Sequence, residues 1–350
     1  MSDFYDGTKL LSLLDSEGRK PEIYIVTSNR TGGKTTFFNR MVFRKAIMKG
    51  EKFMLIYRFK DELDDCADKF FKDINGLFFP QYSVFSKKRA KGAYHELFYR
   101  HVSSEEPVSC GYAVALNSAD AIKKLSHFFS DTSCMLFDEF QSETNHYCPD
   151  EVSKFISVHT SVARGQGKQT RYVPVYMLSN PVTILNPYYV NMDISTRLNK
   201  NVKFLRGNGY VLEQGYNESA ANAMKESGFM QAFNRSTYCD YAMEGTYLSD
   251  NNAFIEQLNG RSRYLATIKY KNAEYAIRQF EEYGIIYCDN KADKTFPTRL
   301  AVTTEDHNVN YVMLKTNEFF ISSMRYFFEK GCFRFKDLKC KDAILKLLSY

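Results

Sequence analysis

The stretch that most constrains this chain is Ser28-Asn29-Arg30-Thr31-Gly32-Gly33-Lys34-Thr35-Thr36. Residues 22–27 (Glu-Ile-Tyr-Ile-Val-Thr) read as a buried strand, and Lys34 to Lys49, closed by Gly50, as a helix. The stretch therefore joins a strand to a helix, the context of a phosphate-binding loop. Such a loop needs small residues so that backbone N–H groups can wrap phosphates, a lysine for the terminal phosphates, and a hydroxyl for Mg²⁺. The helix N-terminus adds its dipole and free amides. Gly33, Lys34 and Thr35 meet these needs, with Ser28 standing where the G-x-x-x-x-G-K-[ST] pattern has its first glycine. The alternative is an ordinary strand–turn–helix with a lysine near the cap.

A second motif decides between them. Met135-Leu136-Phe137-Asp138-Glu139 is an apolar strand ending in two acids. In a P-loop ATPase an acid at the end of such a strand, about a hundred residues on, holds Mg²⁺, and a second polarises the attacking water. Asp138 and Glu139 take those roles, with Thr35 as the other metal contact. Ser179-Asn180 ends a further strand, where a polar side chain can sense the terminal phosphate; a turn into Pro181 is the competing reading. Arg164, opening the Gly165-Gln166-Gly167-Lys168 loop, and Arg171, preceding that strand, are candidates for an arginine acting on a neighbouring subunit's nucleotide. Arg30, inside the loop motif, is a candidate in cis. Arg58 and Lys60 follow the second strand. Lys87, Lys88, Arg89 and Lys91 form a basic run between strands two and three, where loops can neutralise nucleic-acid phosphates or simply face water.

Strand candidates at 53–58, 112–116, 134–137 and 172–178 alternate with helices near 61–71, 119–129 and 149–162. This is the pattern of an α/β domain with a mostly parallel sheet. After residue 200 the pattern changes. Gly207-Asn208-Gly209 marks a hairpin, 219–233 is helical, and 234–250 is polar and irregular. Strands at 264–270, 275–280 and 284–288, then helices at 316–329 and 336–349, make a smaller α+β domain with an antiparallel meander. The boundaries expected are 1–214 for the ATPase domain, 215–250 for a linker or helical subdomain, and 251–350 for the C-terminal domain.

Composition narrows the class. At 44% apolar and 25% charged residues, 350 residues suit two soluble domains. A net charge of +6 permits a polyanionic partner without demanding one. Eight cysteines without a C-x-x-C pair argue for reduced thiols in a cytosolic setting and against a zinc module. An acidic N-terminus without an apolar core is not a signal peptide, and no apolar window is long enough to span a membrane.

Taken in order, Ser28–Thr35, Phe137-Asp138-Glu139-Phe140, Leu178-Ser179-Asn180-Pro181, Asn186-Pro187-Tyr188 and Thr267-Ile268-Lys269-Tyr270-Lys271 resemble the DNA-encapsidation ATPases of small podoviruses, the phi29-like packaging motors. The resemblance implies an ASCE-type (additional-strand) P-loop NTPase domain, a small helical linker and a C-terminal domain of vestigial ribonuclease-H-like fold. It implies ATP and Mg²⁺ as cofactors and a homo-oligomeric ring, a pentamer, at the portal of an empty capsid in the host cytoplasm. Double-stranded DNA and the portal protein are the implied partners, with a packaging RNA in some relatives. Carried over by motif, Lys34 and Thr35 bind phosphate and Mg²⁺, Asp138 holds the metal, Glu139 is the base and Ser179-Asn180 couples hydrolysis to movement. Arg164, before Arg171, is the trans-acting arginine.

The second domain lacks the converging acids of a two-metal nuclease. The first meander strand, Ala266–Tyr270, has none and Asp289 stands alone, so nuclease activity is not expected. The basic residues Arg261, Arg263, Lys269 and Lys271 suit nucleic-acid or portal contacts instead. Two further readings remain, a metabolic P-loop kinase and a non-hydrolysing nucleic-acid-binding protein. The paired acids favour water as acceptor over a metabolite.

Overall fold

The computed structural model describes residues 4–348 apart from 145, 166, 168, 195, 196, 199–201, 234, 235, 245, 246, 248–253 and 314–316. The chain forms two compact units, Met1–Ser249 and Asp250–Tyr350.

In the first unit the chain runs α1 (Thr8–Ser12), β1 (Ile23–Thr27), α2 (Lys34–Lys49), β2 (Lys52–Tyr57), α3 (Cys66–Phe78), β3 (Tyr82–Arg89), β4 (Tyr94–His101), β5 (Val108–Ala115), α4 (Ala119–Lys124) and β6 (Thr132–Asp138). It continues through α5 (Glu151–Val162), β7 (Val175–Ser179), α6 (Pro187–Asn191), β8 (Phe204–Gly207), β9 (Tyr210–Gln214), α7 (Glu218–Glu226), α8 (Gly228–Ala232) and α9 (Thr237–Glu244). The strands form one nine-stranded sheet in the order β3-β4-β5-β2-β6-β7-β1-β9-β8. The six from β5 to β9 pair in parallel, while β3, β4 and β8 are antiparallel. Parallel strands covered on both faces need apolar residues at successive positions, which is why Tyr24 to Val26, Phe53 to Ile56 and Cys134 to Phe137 are unbroken apolar runs. Their side chains divide between two cores. Ile25, Met54, Ile56, Met135 and Phe137 face α4, α5 and α6; Tyr24, Val26, Phe53, Leu55 and Leu136 face α1, α2 and α3.

Strand β7 stands between β1 and β6, so the end of the phosphate-loop strand and the end of the acid strand are separated by one strand that carries Ser179. That insertion defines the additional-strand class. All three strands end on the same edge of the sheet.

Two sequence expectations are corrected. The basic run is not in a loop: Lys87, Lys88 and Arg89 close β3, and Ala90, Lys91 and Gly92, all at positive φ, make the turn into β4. This hairpin escapes a sequence reading because its strands are half polar and lack a clean alternation. The expected irregular stretch after residue 234 contains α9. Residues 215–250, expected as a linker or helical subdomain, carry α7, α8 and α9, and all but Asp250 fall in the first unit. Asn29 in the phosphate loop joins both ends of this stretch to the body, donating from Nδ2 to the carbonyls of Asn217 (3.0 Å) and Met243 (3.3 Å).

The second unit contains β10 (Arg263–Tyr270), β11 (Ala273–Phe280), β12 (Ile285–Asp289), β13 (Arg299–Ala301), β14 (Val312–Met313), α10 (Glu318–Glu329), β15 (Phe333–Phe335) and α11 (Leu338–Leu348). The meander β10-β11-β12 is antiparallel as expected. Parallel strands extend both of its edges, giving the order β14-β13-β10-β11-β12-β15. Ile268, Ile277, Ile286 and Phe335 pack against Met324, Ile344 and Leu347 from the two helices.

Candidate nucleotide site

The phosphate loop is shaped by residues that cannot face water. Asn29 is fully buried; besides its two donor bonds, its Oδ1 accepts from the Asn217 N–H at 2.8 Å. Gly33 sits at φ +88°, a left-handed conformation that strains any side chain, and it opens α2 directly. A Cβ on Gly32 would lie 3.3 Å from that of Asn217. Lys34 is buried at the helix N-terminus and its Nζ donates to Asn180 Oδ1 at 2.7 Å. Burial lowers the Lys34 pKa, against the opposing pull of Asp138. Thr35 Oγ1 donates to Asp138 Oδ2 at 2.8 Å, and the Glu139 N–H donates to Asp138 Oδ1 at 3.0 Å. Burial raises the Asp138 carboxyl, opposed by Lys34 and by the Thr35 bond. The three motifs identified in the sequence thus meet through two hydrogen bonds.

Glu139 is exposed and sits at φ +55°, which for a residue with a side chain costs on the order of 1–3 kcal/mol. Arg58 holds it there. This arginine, expected in a DNA-facing loop, is buried. Its Nε donates to Glu151 Oε2 at 2.9 Å, one amino group donates to the Phe140 carbonyl at 2.8 Å, and both reach the Glu139 carbonyl at 3.4 Å. Phe137 and Tyr147 flank its guanidinium. Glu151 is completed by Tyr188 Oη and the Cys148 N–H, each at 2.9 Å. Burial disfavours the Arg58 charge, but Glu151 outweighs it and the pKa is raised.

Beyond Lys34 lies a pocket of about 240 Å³ lined by Arg30, Glu139, Gln141, Glu143, Asn180 and Tyr241, among others. Arg30 pairs with Glu143, to which Tyr241 Oη also donates, and the guanidinium lies 5.5 Å from the Tyr238 ring centre and 5.9 Å from that of Tyr241. Burial works to raise the Glu143 carboxyl, but the Tyr241 bond and the Arg30 charge hold it low. Gln141 Oε1 accepts from the N–H groups of Val182 (3.1 Å) and Thr183 (2.9 Å), tying the acid loop to the segment after Asn180.

The remaining candidates divide. Ser28 and Thr36 lie in the loop and the first turn of α2, and the Ser28 N–H donates to the Ser179 carbonyl at 3.3 Å. Thr31 is exposed at φ +61°. Ser179 is buried and turns its hydroxyl to the Asn180 carbonyl, so Asn180 alone of the pair reaches Lys34. Arg171 does not project freely. Its guanidinium donates to the carbonyls of Val162 (2.8 Å), Thr132 (3.1 Å) and Arg164 (3.4 Å), closing the end of α5. Arg164 is exposed, and its guanidinium has no hydrogen-bond or ion-pair partner among the described residues. It lies past the far end of α5, roughly 18 Å along the helix from the acid loop, which excludes it from its own site. Gln166 and Lys168 of that loop lie outside the described residues. Lys60, Lys87, Lys88, Arg89 and Lys91 are exposed, away from the phosphate loop. Lys88 pairs with Asp64 at 2.9 Å and Arg89 with Glu96 at 2.8 Å.

Sequence reasoning missed Asn217, Glu143 and Tyr241. Only Asn217 left a signal, an Asn-Glu pair at a helix start; its side chain caps α7 by accepting from the Ala220 N–H at 2.8 Å.

A triphosphate suits the free amides of α2 and the Lys34 ammonium. Mg²⁺ suits the adjoining hard oxygens of Thr35 and Asp138, since that ion takes one or two protein oxygens and completes its shell with phosphate and water. Fold and site together define a P-loop nucleotide-binding protein of the additional-strand class. The chain belongs to the podovirus DNA encapsidation protein (Gp16) family, whose model matches residues 1–349. It is 23% identical to the DNA packaging protein of Bacillus phage phi29 over 348 residues, covering 98% of this chain and 96% of the relative. The DNA packaging protein of Bacillus phage PZA matches equally, at 23% over 348 residues with the same coverage. Among solved structures, the phi29 viral genome packaging motor assembly aligns at TM-score 0.68 and 20% identity, covering 100% of this chain and 98% of that one. The Phi-28 gp11 DNA packaging motor aligns at 0.57 and 14%, covering 100% and 99%.

Removing Arg58 leaves Glu151 buried without its cation. Arg58→Ala is expected to cost about 3–5 kcal/mol of stability in urea unfolding. Arg58→Lys should recover only part, because an ammonium cannot bridge a carboxylate and two carbonyls. Unchanged midpoints for both would contradict the clamp.

Proposed function

We propose that this protein hydrolyses ATP and uses the cycle to drive double-stranded DNA through a portal into an empty capsid, working as one subunit of a homo-oligomeric ring in the host cytoplasm. The observation that carries the reading is the pair of bonds Thr35–Asp138 and Lys34–Asn180, which joins the phosphate loop, the acid strand and the strand between them. Lys34 and the loop amides bind the phosphates. Thr35 and Asp138 hold Mg²⁺, which neutralises charge on the phosphates when bound. Glu139, exposed beside Asp138, orients and polarises the attacking water. Asn180 reports the terminal phosphate by exchanging its Lys34 bond. Arg30, held off by Glu143, swings to the phosphate when a nucleotide attracts it and so frees Tyr241 of α9. Arg164 reaches a neighbour's nucleotide. Family membership supports a ring, with a pentamer, a portal and a packaging RNA as its expected setting. A monomeric kinase or a non-hydrolysing binder accounts less well for Glu139 held in a strained conformation.

Lys34→Ala is expected to abolish ATP turnover and nucleotide binding, and Glu139→Gln to keep binding while turnover falls at least a hundredfold. Arg164→Ala should also bind without turning over. Mixing it with Lys34→Ala should restore activity, since the second variant lends its arginine to the first. DNA-stimulated ATPase assays with and without portals measure all of these. Normal turnover by Glu139→Gln would remove it as the base, and no recovery on mixing would remove Arg164 as the trans residue.

DNA contact is assigned to the β3–β4 hairpin. Lys87, Arg89 and Arg100 lie over the stacked rings of Phe85 and Phe98, which form an apolar base beneath three cations, and Lys60, Lys88 and Lys91 stand at the tip. Phosphate contacts are independent of sequence and sensitive to salt. Replacing Lys87 and Lys91 by Ala should lower the slope of log affinity against log salt by about 0.9 for each DNA phosphate that is no longer neutralised. An unchanged slope would place the contacts elsewhere.

The second unit is proposed to lack nuclease activity. Asp289 is committed to Arg278 (2.8 Å) and the Lys291 N–H (2.7 Å), and buried Asp306 to the N–H groups of Lys271 and Asn272 in the β10–β11 turn. Plasmid incubated with the protein and Mg²⁺ or Mn²⁺ should stay intact; cleavage abolished by Asp289→Ala would overturn this.

A further inference from the structure

Glu139 and Asn180 stand on separate segments, the loop after β6 and the loop after β7, yet both line the pocket beyond Lys34. The sheet joins these segments as far as Asp138 and Leu178, the last register pair of β6 with β7, and the Phe140 N–H reaches the Leu178 carbonyl at 3.2 Å. Pro181 then has no N–H to offer. Past it, Gln141 takes up the link. Its Oε1 accepts from the N–H groups of both Val182 and Thr183, at 3.1 and 2.9 Å. Glu143 also meets the Asn180 side chain, but that contact is shared with Arg30 and Tyr241.

The choice of side chain is informative. Gln141 is only 3% accessible. Its Nε2 is shut off from water without a full hydrogen bond, beside the buried Tyr189 hydroxyl in the same condition. Leaving two buried polar atoms short is unfavourable, so an apolar side chain would pack here with less loss were it not for the two amides. A carboxylate could also accept from them. The loop already holds Asp138, Glu139 and Glu143, however, and a further negative charge away from water is disfavoured. An amide oxygen accepts twice and stays neutral. The segment it grips is itself braced. Asn186 Nδ2 donates to the Thr183 carbonyl at 2.8 Å, and Asn186 Oδ1 accepts from the Tyr189 N–H at 3.0 Å where α6 begins.

We propose that Gln141 is a positioning residue that makes the acid loop and the Asn180 segment move as one body. A terminal phosphate that takes Asn180 from Lys34, or releases it, then shifts Glu139 in the same movement. Gln141 acts through these two residues and touches no reacting atom. The proposal rests on the reading above of Glu139 as the base and Asn180 as the phosphate sensor.

ATP turnover in the presence of double-stranded DNA, and equilibrium ATP binding in Mg²⁺, test this on the full chain with Gln141→Met, Asn180→Ala and the double variant. Gln141→Met is similar in length but lacks the acceptor. It is expected to bind ATP within about twofold of the wild type and to lose kcat by about 10- to 100-fold, the effect of a misplaced catalytic group. Because both residues act through one linkage, the double variant should be no slower than the slower single variant. A side chain that only supports the fold would instead multiply its loss with that of Asn180→Ala. Gln141→Asn, polar but one methylene shorter, gives the same comparison should Gln141→Met fail to fold. Multiplied losses, or full turnover by the folded Gln141 variant, would overturn the proposal and leave Glu139 and Asn180 in their roles. Full turnover by Asn180→Ala would overturn the sensor reading itself.

Discussion

The buried Arg58–Glu151 pair sets the position of the acid loop. A guanidinium away from water is tolerable only if nearly all its donors are used. Here they are used on one carboxylate and on the carbonyls of Glu139 and Phe140. The carboxylate in turn begins α5 and accepts from Tyr188, so β2, the acid loop, α5 and α6 converge on one charge pair. The left-handed conformation of Glu139 persists because its carbonyl is held from outside. Glu139 reaches solvent beside Asp138 because of a residue one strand away, just past the end of β2.

That arrangement explains what the sequence can and cannot convey. The phosphate loop is legible because its chemistry is local: Gly33, Lys34 and Thr35 are neighbours in the chain and must stand between a strand and a helix. Asp138-Glu139 is legible for the same reason, as the charged end of an apolar run. Arg58 is not. A basic residue just past a strand looks alike whether it faces water or a buried glutamate 93 positions away. Arg171 misleads similarly, since its partners are backbone carbonyls, which leave no mark in the sequence. The contacts of Asn29 with Asn217 and Met243 span 188 and 214 positions, beyond the reach of any local pattern.

The second unit shows the same division. Its meander strands are five to eight residues long and joined by tight turns, so their pattern is visible. The strands that extend the sheet, β13, β14 and β15, have only two or three residues, too few to display a period. β13 and β15 form on the open edges of β10 and β12, and β14 on that of β13, a property of the assembled sheet.

The nine-stranded sheet is also open at both ends. At one end β8 is only four residues long and offers little to a newcomer. At the other, β3 is eight residues long, and its final three, Lys87, Lys88 and Arg89, are exposed cations. An unprotected strand edge is a template on which another chain can add a strand. Positive charge along it makes that addition repulsive for an identical copy. Residues suited to a polyanion therefore have a second consequence: they keep crowded copies from fusing edge to edge into aggregates.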